Sequence, residues 1–125
     1  MNISKAIWIS NAYEGALILM PIIALAAYGY SLAFCVIGAL VMLSMMACKN
    51  AIYFKHTAKV SEPWTGKSVF PYGKLLALAL SLTFGYIYLS YLLTAYNGWL
   101  VIGMLVINFI TYNPIQKLCS KLLAV

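Results

Sequence analysis

Polar and apolar positions fall into blocks along this chain. Four apolar stretches run from about Ala6 to Tyr28, from Ser31 to Cys48, from Leu75 to Tyr96 and from Gly98 to about Tyr112. Uninterrupted runs of this length predict helices that cross ~30 Å of hydrocarbon. Helix is the form required, because lipid offers no partner to a backbone N–H or C=O and the segment must satisfy its own. The clean part of the first run, Gly15 to Tyr28, has 14 residues, short of the roughly 20 that a crossing needs. The first helix therefore takes in part of 6–14, and Glu14 with it.

Turn signals separate the stretches. Gly29-Tyr30-Ser31 and Asn97-Gly98 each read as a tight turn. Asn113-Pro114 predicts the end of the fourth helix, since proline lacks the N–H that the ladder needs and restricts the residue before it. In the remainder, Ile115–Val125, Lys117 and Lys121 share one helical face while Ile115, Leu118 and Leu122 follow another. That pattern predicts a tail lying in the membrane interface. The expected architecture is an all-α integral membrane domain over residues 1–125. Its four helices (about 6–28, 31–48, 75–96 and 98–112) form two hairpins joined by a basic cytoplasmic loop, 49–74.

Composition agrees with this class. Hydrophobic residues make up 65% of the 125 positions and charged residues 8%, against about 45–50% and 25% in ordinary soluble domains. A small soluble domain buries only about 60–70% of its unfolded surface and could not hide so much apolar area. The low charge also excludes a disordered tail.

The charge that remains is one-sided. The formal charge is +6, from eight Lys, no Arg, Glu14 and Glu62. Lys49, Lys55, Lys59, Lys67 and Lys74 lie in the long connection, Lys5 before the first helix, and Lys117 and Lys121 after the fourth. The two short turns carry no charge. The positive-inside rule makes the lysine side cytoplasmic, with both termini inside an inner membrane. Tyr28, Tyr30, Tyr96 and Trp99 then fall at the opposite interface, where aromatic belts belong. Lysines beside apolar runs mark membrane flanks, so no direct nucleic-acid contact is expected. The first segment resembles a leader peptide in outline, but Glu14 inside the run favours a retained helix.

Catalytic and metal chemistry find little here. Cys35, Cys48 and Cys119 offer no Cys-x-x-Cys spacing, and the first two would lie about 20 Å apart on one helix, too far to bond. They read as packing residues. His56 has no neighbouring ligand for a metal. Gly66-Lys67-Ser68 lacks the earlier glycine of a phosphate-binding loop, since position 61 is Ser. No cofactor is expected, and with acids so scarce the chain reads as non-enzymatic.

Glu14 is the sharpest feature, and two readings of it stand open. At membrane depth it is a candidate proton or cation site, because a charge there must be protonated, paired or watered. If the helix begins near Asn11, it is a first-turn acid at head-group level, favoured by the helix dipole.

The segment Ala12-Tyr13-Glu14-Gly15, with Gly103-Met104-Leu105-Val106-Ile107-Asn108 in the fourth stretch, resembles the small multidrug resistance exporters. Those are four-helix proteins of this size with one acid in the first helix. The resemblance implies that Glu14 binds proton and cationic substrate in turn, inside a dimer. The long 49–74 connection departs from their short loops, and the aromatic residues expected around the acid are not recognisable.

Two further groups are candidates. Ala77, Ser81 and Gly85 recur every fourth residue on the third helix, a small-residue stripe suited to helix packing, and Asn108 can hydrogen-bond between helices. Lys49, Lys55, Lys59, Lys67, Lys74, Lys117 and Lys121, with Trp64, Phe70 and Tyr72 as aromatic anchors, form a candidate docking surface. It suits anionic membrane lipid or an acidic cytoplasmic protein partner. Residues 49–59 can also extend the second helix into the cytoplasm.

The leading expectation is an anchor or sensor subunit that forms a homo-oligomer and recruits or regulates a cytoplasmic partner, as in a phage-defence or secretion assembly. The alternative is a small homo-oligomeric channel or proton-coupled exporter using Glu14. The third is an immunity-type protein that binds a pore-former.

Overall fold

A computed structural model describes residues 3–59 and 69–123 of the chain. They form four helices: α1 (Ile3–Ala27), α2 (Leu32–Lys59), α3 (Val69–Thr94) and α4 (Gly98–Leu123). Each has 25 to 28 residues, roughly 38–42 Å at the usual rise. All four are long and apolar enough to cross a membrane, which is the coarse architecture expected of a multi-pass membrane protein.

The helices run further than the apolar stretches. α2 continues eleven residues past Cys48, because nothing in 49–59 breaks a helix. α3 begins at Val69 and takes Pro71 into its first turn, where the missing N–H would have no intrahelical partner anyway. The expected loop 49–74 is therefore helical at 49–59 and at 69–74; residues 60–68 lie outside the described residues.

α4 corrects the expected end at Tyr112. It passes through Asn113-Pro114 to Leu123, so 115–123 is the end of α4 and not a separate segment. Proline costs this helix one ladder bond. Packing compensates: Cys119 is buried with Ala6 and Phe54, and Ile115 and Leu122 close over them.

The two short turns follow their sequences. Gly29 sits at φ 98°, and Tyr30 and Gly29 donate back to Leu25 and Ala26 at 3.1 and 3.2 Å. This is a Schellman cap, whose left-handed position suits glycine. At the other turn the Asn97 side chain accepts from the Trp99 N–H at 3.1 Å and so caps α4.

α1 touches all three other helices, while α2 and α4 flank it on either side of α3. The core is made by Ile18, Ile22 and Leu25 of α1, Cys35, Met42 and Met46 of α2, Leu82, Leu89 and Leu93 of α3, and Met104 of α4. The opposite faces carry exposed apolar side chains such as Phe84, Trp99 and Phe109, the surface a lipid solvent calls for. At the end formed by the two turns, Tyr28 stacks on Tyr96 at 5.0 Å and Tyr30 meets Tyr96 edge-on at 5.8 Å. Desolvation, then the neighbouring Tyr96, raises the Tyr30 phenol above its ordinary pKa.

Candidate functional site

The other end of the bundle is polar inside. The start of α1 brings Ser10, Asn11, Tyr13 and Glu14; α2 brings Lys49 and Asn50. The Lys49 ammonium donates to Glu14 Oε2 at 2.7 Å, and the two side chains keep only 20% and 30% of their exposure. Asn50 is buried, and its amide donates to Asn11 Oδ1 at 2.7 Å and to Glu14 Oε2 at 3.5 Å. One carboxylate thus accepts from two groups of the neighbouring helix. This is how a half-buried acid is made tolerable.

A second polar contact ties α1 to α4. The Tyr13 hydroxyl donates to Asn108 Oδ1 at 3.0 Å and lies 2.9 Å from Thr111 Oγ1. Thr111 in turn donates to the Ile107 carbonyl of its own helix. Below this, Ser10 Oγ and Cys119 Sγ lie 3.4 Å apart, both buried.

Ser10, Tyr13, Glu14, Lys49, Asn50 and Cys119 line a cavity of about 330 Å³ to which all four helices contribute. Its polar wall carries Ser10, Tyr13, Glu14, Lys49 and Asn50. Its apolar wall carries Phe54, Leu75, Leu76, Ala79 and Ile115, and Gln116 and Ser120 add polar groups from α4. Beyond it, toward the two turns, the bundle is filled by the Ile18–Met104 core.

The structure divides the residues singled out from sequence. Glu14 lies in the cavity wall, paired with Lys49 of the expected docking set. Lys55, Lys74, Lys117 and Lys121 are exposed on the segments that form this end. Lys59, Phe70 and Tyr72 fall on the ends of α2 and α3; Trp64 and Lys67 lie outside the described residues. Asn108 reaches across helices to Tyr13. The stripe on α3 is split: Gly85 packs against Met42, and a Cβ there would lie 3.4 Å from the Met42 methyl, whereas Ala77 and Ser81 are exposed.

Sequence reasoning missed Asn11 and Asn50. A signal was present: Ser10, Asn11 and Glu14 crowd one turn of α1, and Lys49-Asn50 is the matching polar pair on α2. Among the described residues no group of three or more His, Cys, Asp or Glu is placed to hold a metal. Comparison with protein-family models, with curated proteins and with solved structures found no match to this chain.

Proposed function

We propose that the protein is a non-enzymatic membrane protein that binds a small molecule in the cavity at its lysine-bearing end and passes it across the bilayer. In this reading α1–α2 and α3–α4 are two hairpins in an inner membrane, with the lysine end and both termini cytoplasmic. The observation that carries it is the cavity itself. It is walled by all four helices, combines polar groups of α1, α2 and α4 with an apolar lining, and is closed toward the two turns by packed apolar side chains. In this reading the cavity is entered from the lysine-bearing side. The Glu14–Lys49 pair is its charged element, so Glu14 acts as half of a pair and not as a lone cation site.

The test needs no substrate. Ala79 lines the cavity, and Ala79→Cys in a variant with no other cysteine reports access to it. Labelling by a membrane-impermeant maleimide from the cytoplasmic face, with slower labelling from the outer face, is expected. Labelling from neither face would remove the translocation reading, and labelling from the outer face alone would reverse the orientation.

A second reading has its own observation. Lys55 near the end of α2 and Lys117 and Lys121 near the end of α4 are each exposed, and such lysines suit an anchor docking an acidic partner or anionic lipid. Lys55→Gln with Lys117→Gln and Lys121→Gln would release a partner held that way and leave Ala79→Cys labelling unchanged.

A further inference from the structure

We infer that the cavity selects zwitterions with a hydrophobic body: molecules carrying an ammonium for Glu14, an anionic group for Lys49 and an apolar part for the cavity's apolar lining. The inference rests on the binding reading above and specifies its ligand.

Glu14 and Lys49 neutralise one another at 2.7 Å. A simple cation that takes Glu14 strands the Lys49 ammonium, and a simple anion strands the Glu14 carboxylate. An unpaired charge in a half-buried site is strongly penalised. A zwitterion exchanges both partners at once and leaves each charge paired. Asn50 adds a fixed element, since it is buried and held by Asn11 at 2.7 Å, and its amide already points at Glu14. The carboxylate is therefore kept in place when Lys49 turns to a ligand.

The apolar lining supplies the second half of the recognition. Phe54, Leu75, Leu76, Ala79 and Ile115 present hydrocarbon to the same space. A volume of about 330 Å³ lies at the small end of ligand pockets. It suits one amino-acid-sized body or one lipid headgroup, and it cannot hold the acyl chains of a phospholipid. The paired charges have two sources: a free amphipathic amino acid, which carries the apolar part as well, or the ethanolamine headgroup of a membrane lipid, which carries the ammonium and the anion alone.

The test is calorimetric binding to the full chain in nanodiscs of phosphatidylglycerol, with size-exclusion profiles confirming that each variant is folded. The probes are L-leucine, L-methionine, L-phenylalanine and phosphoethanolamine. Two truncated forms of leucine accompany them: isoamylamine, which lacks the carboxylate, and 4-methylpentanoate, which lacks the amine. At least one zwitterion is expected to bind about tenfold or more tightly than either truncated form, the factor that one lost charge contact is worth. Glu14→Gln and Lys49→Met should each abolish that preference, and the exchange Glu14→Lys with Lys49→Glu should restore it. Adding phosphatidylethanolamine to the discs separates the sources: loss of amino-acid binding identifies the lipid headgroup, and unchanged binding identifies the free molecule. Tighter binding of isoamylamine than of every zwitterion would overturn the inference while leaving a binding cavity in place. Absence of binding by all probes would overturn it too, and Ala79→Cys labelling would then show separately whether the cavity reading survives.

Discussion

Lys49 and Glu14 meet across the α1–α2 seam at 2.7 Å, with Asn50 approaching the same carboxylate oxygen. Their partial burial places the pair between exposed ion pairs, worth about 0.2–1 kcal/mol, and buried ones, whose disruption costs about 3–5 kcal/mol. A double-mutant cycle with Glu14→Gln and Lys49→Met should give a coupling of about 1–3 kcal/mol, measured by unfolding in mild detergent. The coupling should shrink only in part in salt, because the two side chains are largely but not wholly buried. A coupling near zero would mean that the pair does not form.

Tyr13 is the bridge from α1 to α4. Its hydroxyl serves both Asn108 and Thr111, and interhelical hydrogen bonds in membranes average about 0.6 kcal/mol and reach about 1.7 kcal/mol. Tyr13→Phe keeps the ring and removes both contacts, so it should lower stability by about 1–2 kcal/mol. Asn108→Leu in the Tyr13→Phe background should then add little, while Asn108→Leu alone, which leaves Tyr13 beside Thr111, should cost less than Tyr13→Phe. Additive losses would separate the two residues.

Much of the fold was legible because lipid imposes a simple rule. Long apolar runs such as Ser31–Cys48 must be helical, and Gly29 and Asn97 announce where they turn. The ends were less legible. Pro114 signals a stop when only the backbone is weighed, and the burial of Cys119 against Ala6 and Phe54 outweighs it; that contact joins positions far apart in sequence, which a linear pattern does not reveal. For the same reason Glu14 was visible and its partner was not. Lys49 reads as a flank residue until α2 is laid beside α1, and Asn50 reads as an ordinary polar residue after a span. Charge spacing along a chain carries no information about which helix face meets which.

The α3 stripe gives a contrast that only the packing predicts. Gly85 faces Met42 with its Cβ direction 3.4 Å from a flexible methyl, so Gly85→Ala should be tolerated. Gly85→Leu forces that neighbour aside and should cost about 1–3 kcal/mol. Ser81→Leu and Ala77→Leu point into surroundings and should lie within about 0.5 kcal/mol of the parent. Thermal unfolding of the four variants in detergent measures this. A large loss at Ser81 or Ala77 would reveal a contact with a second copy of the chain on that face.

The continuation of α4 through Pro114 can be read from a thiol. Cys119 is buried beside Ser10, whereas Cys48 is exposed. If the chain left the helix at Pro114 and lay in the interface, Cys119 would be open to reagent. With α4 intact it is reached only when this end of the bundle opens. In variants retaining a single cysteine, Cys48 should therefore react with N-ethylmaleimide about tenfold or more faster than Cys119, since reaction at a protected site waits on local opening. Pro114→Ala restores an N–H to the ladder and should not accelerate Cys119. Substituting Ala6→Glu, which places a charge against the Cys119 contact, should raise its rate toward that of Cys48. Equal rates for the two thiols in the parent background would show that α4 ends before Cys119.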